Sequence, residues 1–421
     1  MDMQRLIVKG SKKLRGELDI QGAKNSVLPL MAAAVLCGGK VTLKNCPEIT
    51  DRYAAMRILN HLGCTANSAA DIIEADTSEI KRSDIPDELM REMRSSVIFM
   101  GALLGRCESC RISHPGGCDL GPRPIDMHID ALRKMGADIT DEHGELICSA
   151  PDGLHGIKTI LSFPSVGTTE NLMLAAVLAE GETVISNAAR EPEITDLADF
   201  LNENGADIKG AGSGTIVING VKKLTPSSEP YSVMPDRIAC ATYLSFTAAC
   251  GGEVMLKKCR PQHLEAVLPF FENAGCCVRS FGSSIYIRST DRLKMPDSVR
   301  TMVYPGFPTD AQPMLMAMLC TADGTAVFTE NIFENRYRHA GGLCRMGADI
   351  RTEGKIAVVC GVDKLYGAKV SAPDLRGGAA LLCGALSAEG ISEITNVEFI
   401  DRGYQHIEDD LKKLGADVER K

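Results

Sequence analysis

The chain has 421 residues, 44% of them hydrophobic and 24% charged, with no tryptophan, the composition of an ordinary globular protein. That length exceeds what one apolar core comfortably fills, so two large domains are expected. A net charge of -9 excludes a generally basic nucleic-acid surface, and any anionic ligand must find locally clustered Lys and Arg.

In chain order, Arg5 to Gly10 has the β-branched pattern of a strand, and Asn25 to Gly39 is a run of small and apolar residues at helical length, preceded by Lys24. The longest apolar run, Val27 to Cys37, is well short of a membrane span, and the first residues carry no small-residue cleavage site, so a cytoplasmic protein without membrane insertion is expected. A second pattern follows, an amphipathic stretch ending in His61-Leu62-Gly63-Cys64. The same pair then recurs along the chain. Small-residue segments run from Arg94 to Gly105, Thr168 to Gly181, Asp236 to Gly251, Asp310 to Gly324 and Arg376 to Gly390. Phrases like Met135-Gly136-Ala137-Asp138 recur around Gly136, Gly205, Gly275, Gly347 and Gly415. Counting from Gly63, subtraction gives gaps of 73, 69, 70, 72 and 68 residues, which defines six repeats of about 70 residues.

Helices with little polar surface on any side are buried, whereas the amphipathic ones lie on a surface. Each Gly-Ala-Asp-like phrase is followed by a polar turn and a strand pattern, as in Thr215 to Ile218, except in the sixth repeat, which reaches Lys421 first. Arg5 to Gly10 matches Thr215 to Gly220, so the N-terminal strand is expected to complete that last repeat. The Pro/Ser-rich stretch Thr225 to Pro230 is the linker candidate, giving one three-repeat domain over 21–229 and another over 1–20 plus 230–421. The expected architecture is α/β, two pseudo-threefold domains, each burying three small-residue helices inside its sheets.

Polar residues gather where the buried helices begin: Lys24-Asn25, Arg94, Ser165-Val166-Gly167, Asp236-Arg237, Asp310 and Arg376. A helix N-terminus offers N–H donors and a positive dipole end, so a nearby cation makes an anion pocket, although each residue could equally be a cap. Asp310 could cap its helix or accept a proton from a hydroxyl, and Asp401-Arg402 has the same ambiguity between cap and anion clamp. Sixteen cysteines are present, most in apolar stretches where they act as small hydrophobes, and no spacing suggests a zinc site. Cys118 differs. It lies in His114-Pro115-Gly116-Gly117-Cys118-Asp119-Leu120-Gly121-Pro122-Arg123-Pro124, an irregular loop in which Arg111, His114 and Arg123 would favour a reactive thiolate.

Taken together, GAKNSVLPL from Gly22, GGCDLGPRPIDMH from Gly116, PSVGTTEN from Pro164, REPEITDLA from Arg190, MPDRI from Met234, YPGFPTD from Tyr304, IFENRY from Ile332, PDLRGGAAL from Pro373 and IDRGY from Ile400 resemble the UDP-N-acetylglucosamine 1-carboxyvinyltransferase family over essentially the whole chain. The resemblance implies an inside-out α/β barrel, small-molecule substrates phosphoenolpyruvate and UDP-N-acetylglucosamine, and no metal or organic cofactor. It implies that Cys118 is the acid, Asp310 the base, and Lys24 and Arg402 further catalytic groups. Phosphoenolpyruvate would meet Lys24, Asn25, Arg123, Arg376 and Arg402. The UDP-sugar would meet Arg94, Arg123, Pro124, Ile125, Asp126, Met127, Ser165, Val166, Gly167, Asp310 and Ile332. Phe163 stands where some members have a lysine near the diphosphate. A shikimate-phosphate enzyme of the same architecture would leave the UDP motifs unexplained, and a six-unit DNA clamp would need Lys and Arg along its helices, where this chain has Ala and Leu.

Overall fold

The computed structural model describes residues 4–114 and 125–421, with only the backbone of Arg94. The chain divides into two compact units, one of residues 22–114 with 125–234, the other of residues 4–21 with 235–421.

In the first unit the helix Lys24–Cys37 buries every residue from Ser26 to Cys37. Its Ala and Leu leave no polar face to turn to solvent, so it is enclosed on all sides. The helices Phe99–Cys107 and Val166–Ala176 each pack against it and against one another. In the second unit Arg237–Cys250, Gln312–Leu319 and Leu375–Ser387 form the equivalent trio. Each unit has its own apolar core, built around these helices.

The repeat is clearest around the helix Val166–Ala176. Strand Lys158–Ile160 leads into that helix and returns as Glu182–Ser186, which pairs with it in parallel. A long crossover is what a parallel pair needs, and the buried helix supplies it. The amphipathic helix Pro192–Glu203 follows, and then Asp207–Lys209 and Thr215–Asn219, paired antiparallel, complete the sheet. Among the described residues six such four-stranded sheets form, three in each unit. Alternate residues of the strands are buried, as in Ile216 and Ile218, so one face of each sheet packs inward. Helices inside and sheets outside make each unit an inside-out α/β barrel.

The six repeat glycines, Gly63, Gly136, Gly205, Gly275, Gly347 and Gly415, all have φ between 90 and 102°, a conformation that side-chain-bearing residues avoid. This is why one residue type recurs at that spacing. The N-terminal strand Arg5–Lys9 pairs antiparallel with Ile391–Thr395 and Asp417–Arg420, completing the sixth sheet as its pattern predicts. The small-residue helices do not all end where their glycines suggest. Gly105 lies inside its helix, which runs on to Cys107, and the left-handed residue is Glu108. The Gln312–Leu319 helix stops five residues before Gly324. No helix among the described residues is long and apolar enough to cross a membrane.

Candidate active site

Of the residues expected at a site, Cys118, Arg123 and Pro124 lie outside the described residues. The others lie partly in the first unit and partly in the second.

In the first unit Lys24 opens its buried helix, and its Nζ lies 2.8 Å from Asp51 Oδ2 with exposures of 12% and 2%. The N-cap is Ala23, which has no side chain that can accept from the helix's first N–H groups. Pro29 has no N–H to donate four residues back, so the Asn25 carbonyl stands outside the helix's own ladder. The next residue, Ser26, hydrogen-bonds the buried Asp196 carboxylate, which also accepts from the Tyr231 hydroxyl at 3.0 Å. Lys24 and Asn25 are thus held on a rigid, enclosed helix at its positive end.

Two further segments meet at another inner helix of this unit. Ser165 caps Val166–Ala176, its Oγ accepting from Thr168 N at 3.3 Å. Ser162 donates to Met127 Sδ at 3.4 Å, which brings residues 125–127 beside residues 162–167. Phe163 is exposed. A side chain at Gly167 would meet the His128 ring at 3.3 Å. The state of His128 follows from its partners. Gly101 N–H must donate to Asn171 Oδ1, at 2.7 Å, so the Asn171 amide nitrogen is the group facing His128 Nδ1, also at 2.7 Å. His128 Nδ1 is therefore the acceptor and a neutral ring carries its proton on Nε2. Burial keeps it neutral, pushing its pKa down to about 4.

In the second unit Asp310 is not a cap. The Gln312–Leu319 helix has Ala311 at its N-cap, without a side-chain cap bond. Asp310 Oδ1 instead accepts from Arg336 Nη2 at 2.8 Å and Oδ2 from Arg376 Nη2 at 3.2 Å. Arg336 and Arg376 are 2% and 3% exposed while Asp310 is 27% exposed, so the carboxylate is the outer member of the group. Arg336 also donates to the Thr309 carbonyl, and Thr309 Oγ1 donates to the buried Glu330, whose other oxygen accepts from Ile332 N at 2.8 Å. Asp310 and Ile332 are in this way tied to one frame. Burial opposes the Arg376 charge, but Tyr404, Asp310 and Asp236 outweigh it and raise its pKa. Its Nε and Nη1 have no protein partner among the described residues, so it can hold Asp310 and still donate to an oxyanion. The guanidinium lies 5.3 Å above the Tyr404 ring, two residues past Arg402, which is half-buried. Asp401 is no cap either, since both its oxygens accept from Arg420.

Sequence reasoning missed Asp51, His128 and Arg336. Arg336 and His128 lie inside motifs whose other residues drew attention, and Asp51 reads as the first-turn acid of an ordinary outer helix. The charges expected to activate Cys118 are partly engaged elsewhere. Arg111 pairs with Glu145 and His114 lies 2.7 Å from Asp141, both on the same sheet.

A family model described as EPSP synthase (3-phosphoshikimate 1-carboxyvinyltransferase) matches residues 8–411. The chain is 47% identical over 418 residues to UDP-N-acetylglucosamine 1-carboxyvinyltransferase 2 of Caldanaerobacter subterraneus subsp. tengcongensis, covering 99% of this chain and 100% of that protein. It is 47% identical over 422 residues to UDP-N-acetylglucosamine 1-carboxyvinyltransferase 1 of Symbiobacterium thermophilum, covering 99% and 95%. Among solved structures it is similar to an enolpyruvyl transferase from Streptomyces tendae, with a TM-score of 0.89 at 24% identity over 99% of both chains. It is also similar to EPSP synthase from Acinetobacter baumannii, with a TM-score of 0.73 at 20% identity over 100% of both chains. The last two likenesses show the fold.

Proposed function

The chain belongs to the UDP-N-acetylglucosamine 1-carboxyvinyltransferase family of enolpyruvyl transferases, and from that premise we propose that it transfers the enolpyruvyl group of phosphoenolpyruvate to the 3-hydroxyl of UDP-N-acetylglucosamine. This is an entry step of peptidoglycan precursor synthesis, carried out in the cytoplasm and serving cell shape and division. The observation that carries the chemistry is Asp310, a partly exposed carboxylate fixed by two buried guanidinium groups.

Asp310 takes the proton of the sugar 3-hydroxyl as its oxygen attacks C2 of phosphoenolpyruvate. The Cys118 thiol supplies the proton to C3, giving a tetrahedral adduct. Phosphate then leaves from C2 while the Cys118 thiolate takes back a proton from C3, which restores the double bond. Lys24, Asn25, Arg123, Arg376 and Arg402 bind the phosphate and carboxylate, work that suits cations near helix N-termini. Arg94, Arg123, residues 124–127, Ser165 to Gly167, Asp310 and Ile332 hold the UDP-sugar. In a side reaction the Cys118 thiolate adds to C2 of phosphoenolpyruvate while C3 takes a proton from solvent, forming a thioether adduct that keeps the phosphate, and the epoxide fosfomycin alkylates the same thiol as its ring opens.

The test is phosphate release by the purified full chain. Release is expected only with phosphoenolpyruvate and UDP-N-acetylglucosamine together, and none when shikimate 3-phosphate replaces the sugar. No release from folded protein with both substrates would sink the reading. Intact-mass analysis after fosfomycin should show one adduct, mapped to Cys118, and Cys118→Ser should abolish it and suppress turnover.

A further inference from the structure

Arg402 reaches its ligand from the end of the helix Glu398–Asp401, four residues long and too short to hold itself. Something else must fix the backbone from which its long side chain extends. Two side chains distant in sequence do so.

Arg420, on the last strand, places Nη1 at 2.9 Å and Nη2 at 2.7 Å from the two oxygens of Asp401. Its Nε and Nη2 reach Glu408 at 2.7 and 3.0 Å. One planar fork therefore spans the residue before Arg402 and the start of the helix Ile407–Lys413. Burial opposes the Arg420 charge, and the hydrogen bonds to Asp401 and Glu408 overcome it, so its pKa is raised.

Gln21 grips the other side of the turn. Its Nε2 donates to the Gly403 carbonyl at 3.1 Å, and its Oε1 accepts from Gln405 N at 2.9 Å. One amide thus imitates a strand edge and brackets Tyr404. Gln21 is itself anchored, its carbonyl accepting from Asp236 N at 2.9 Å. Between the two grips Gly403 packs so closely on Leu375 that a Cβ there would lie 2.8 Å from its side chain. The Tyr404 hydroxyl meets Thr242 Oγ1 at 2.9 Å.

We propose that Arg420 and Gln21 are positioning residues for Arg402, together forming a clamp that pre-sets the anion-binding geometry of the turn 401–405. This rests on the reading of Arg402 as a ligand of phosphoenolpyruvate. Neither residue touches substrate in this account; each acts through the backbone of Arg402.

Steady-state KM values for both substrates should be measured for the wild type, Arg420→Lys and Gln21→Glu, with Arg5→Lys as a control on the exposed pair with Glu393 in the same unit. A lysine cannot bridge both carboxylates, and a glutamate sets an acceptor against the Gly403 carbonyl. Each variant is expected to raise the KM for phosphoenolpyruvate, by roughly tenfold for Arg420→Lys. The KM for the UDP-sugar should stay within about twofold of wild type, as should both values for Arg5→Lys, with unchanged circular dichroism. Folded variants that keep the wild-type KM for phosphoenolpyruvate would overturn the clamp, and so would equal rises for both substrates or a similar rise in Arg5→Lys. Because these are ratios to an active wild type, such a failure leaves the enzymatic reading standing, which the phosphate-release assay decides separately.

Discussion

The two units solve the same electrostatic problem in opposite ways. Three buried helix N-termini per unit each present unpaired N–H groups and a positive dipole end. In the second unit Asp236 caps Arg237–Cys250 and Asp374 caps Leu375–Ser387, each carboxylate accepting from two backbone N–H groups. The third helix has Asp310 beside it, drawn off by two arginines. In the first unit Ala23 and Ile98 make no side-chain cap bond, the Asn171 amide oxygen accepts from Gly101 N–H in the first turn of Phe99–Cys107, and the Ser165 hydroxyl caps Val166–Ala176, so none of these groups carries charge. Carboxylate caps thus neutralise helix ends in the second unit, whose positive charge resides on guanidinium groups, whereas among the described residues no charged cap offsets the helix dipoles of the first unit.

The largest expected effect probes the second unit. Asp310→Asn keeps shape and one carbonyl oxygen for the arginines but cannot take a proton, so kcat should fall by about 10²- to 10⁴-fold with both KM values nearly unchanged. Asp310→Ala should add a loss of stability, about 3 kcal/mol, because it strips two buried guanidinium groups of their shared carboxylate. Equal kinetic loss in both variants with no difference in chemical denaturation would break the contrast drawn above.

The next effect concerns buried neutrality, found in both units at His128 and His339, each with its pKa pushed down to about 4 by burial. An unfolded histidine takes its proton near pH 6.5, so between about pH 6.5 and 4 the unfolded chain binds more protons than the folded one. Stability is then full above pH 6.5 and is lost as pH falls through that window, by about 3 kcal/mol per histidine. His128→Gln should remove one such share, seen as a smaller gap between urea midpoints at pH 7 and 4.5. An unchanged gap would mean that His128 titrates normally.

The smallest effect tests the uncharged cap. Ser165→Ala should cost about 1 kcal/mol of stability, measured by urea denaturation. Ser165→Asp should recover that loss, yet raise the KM for the UDP-sugar by filling a helix end with fixed negative charge. A Ser165→Asp enzyme with wild-type affinity would argue that the first unit's uncharged helix ends have no part in binding.

Much of the fold was legible because repetition makes its signals redundant. Six glycines at near-constant spacing mark a backbone conformation only glycine adopts easily, and six apolar segments have no face that water could accept. Helix ends were less legible, as Gly105 shows, since a glycine permits a stop without forcing one. At the site, Lys24, Asn25, Asp310 and Arg376 stood out by type and position. Asp51, Arg336 and His128 did not, because a lone charge or imidazole in an amphipathic stretch looks like any solvated residue until its partner is known.

Composition, period and the small-residue segments by themselves determined an α/β repeat protein with buried helices, because burial and glycine conformation are local properties written residue by residue. Only the tertiary structure decided that Asp310 pairs with Arg336 and Arg376 rather than capping its helix, that Arg111 and His114 turn to carboxylates, and that Arg420 and Gln21 grip the Arg402 turn. Those pairings join residues between 19 and 384 positions apart. Charge acts through space, and its partners are fixed only once the chain has closed on itself.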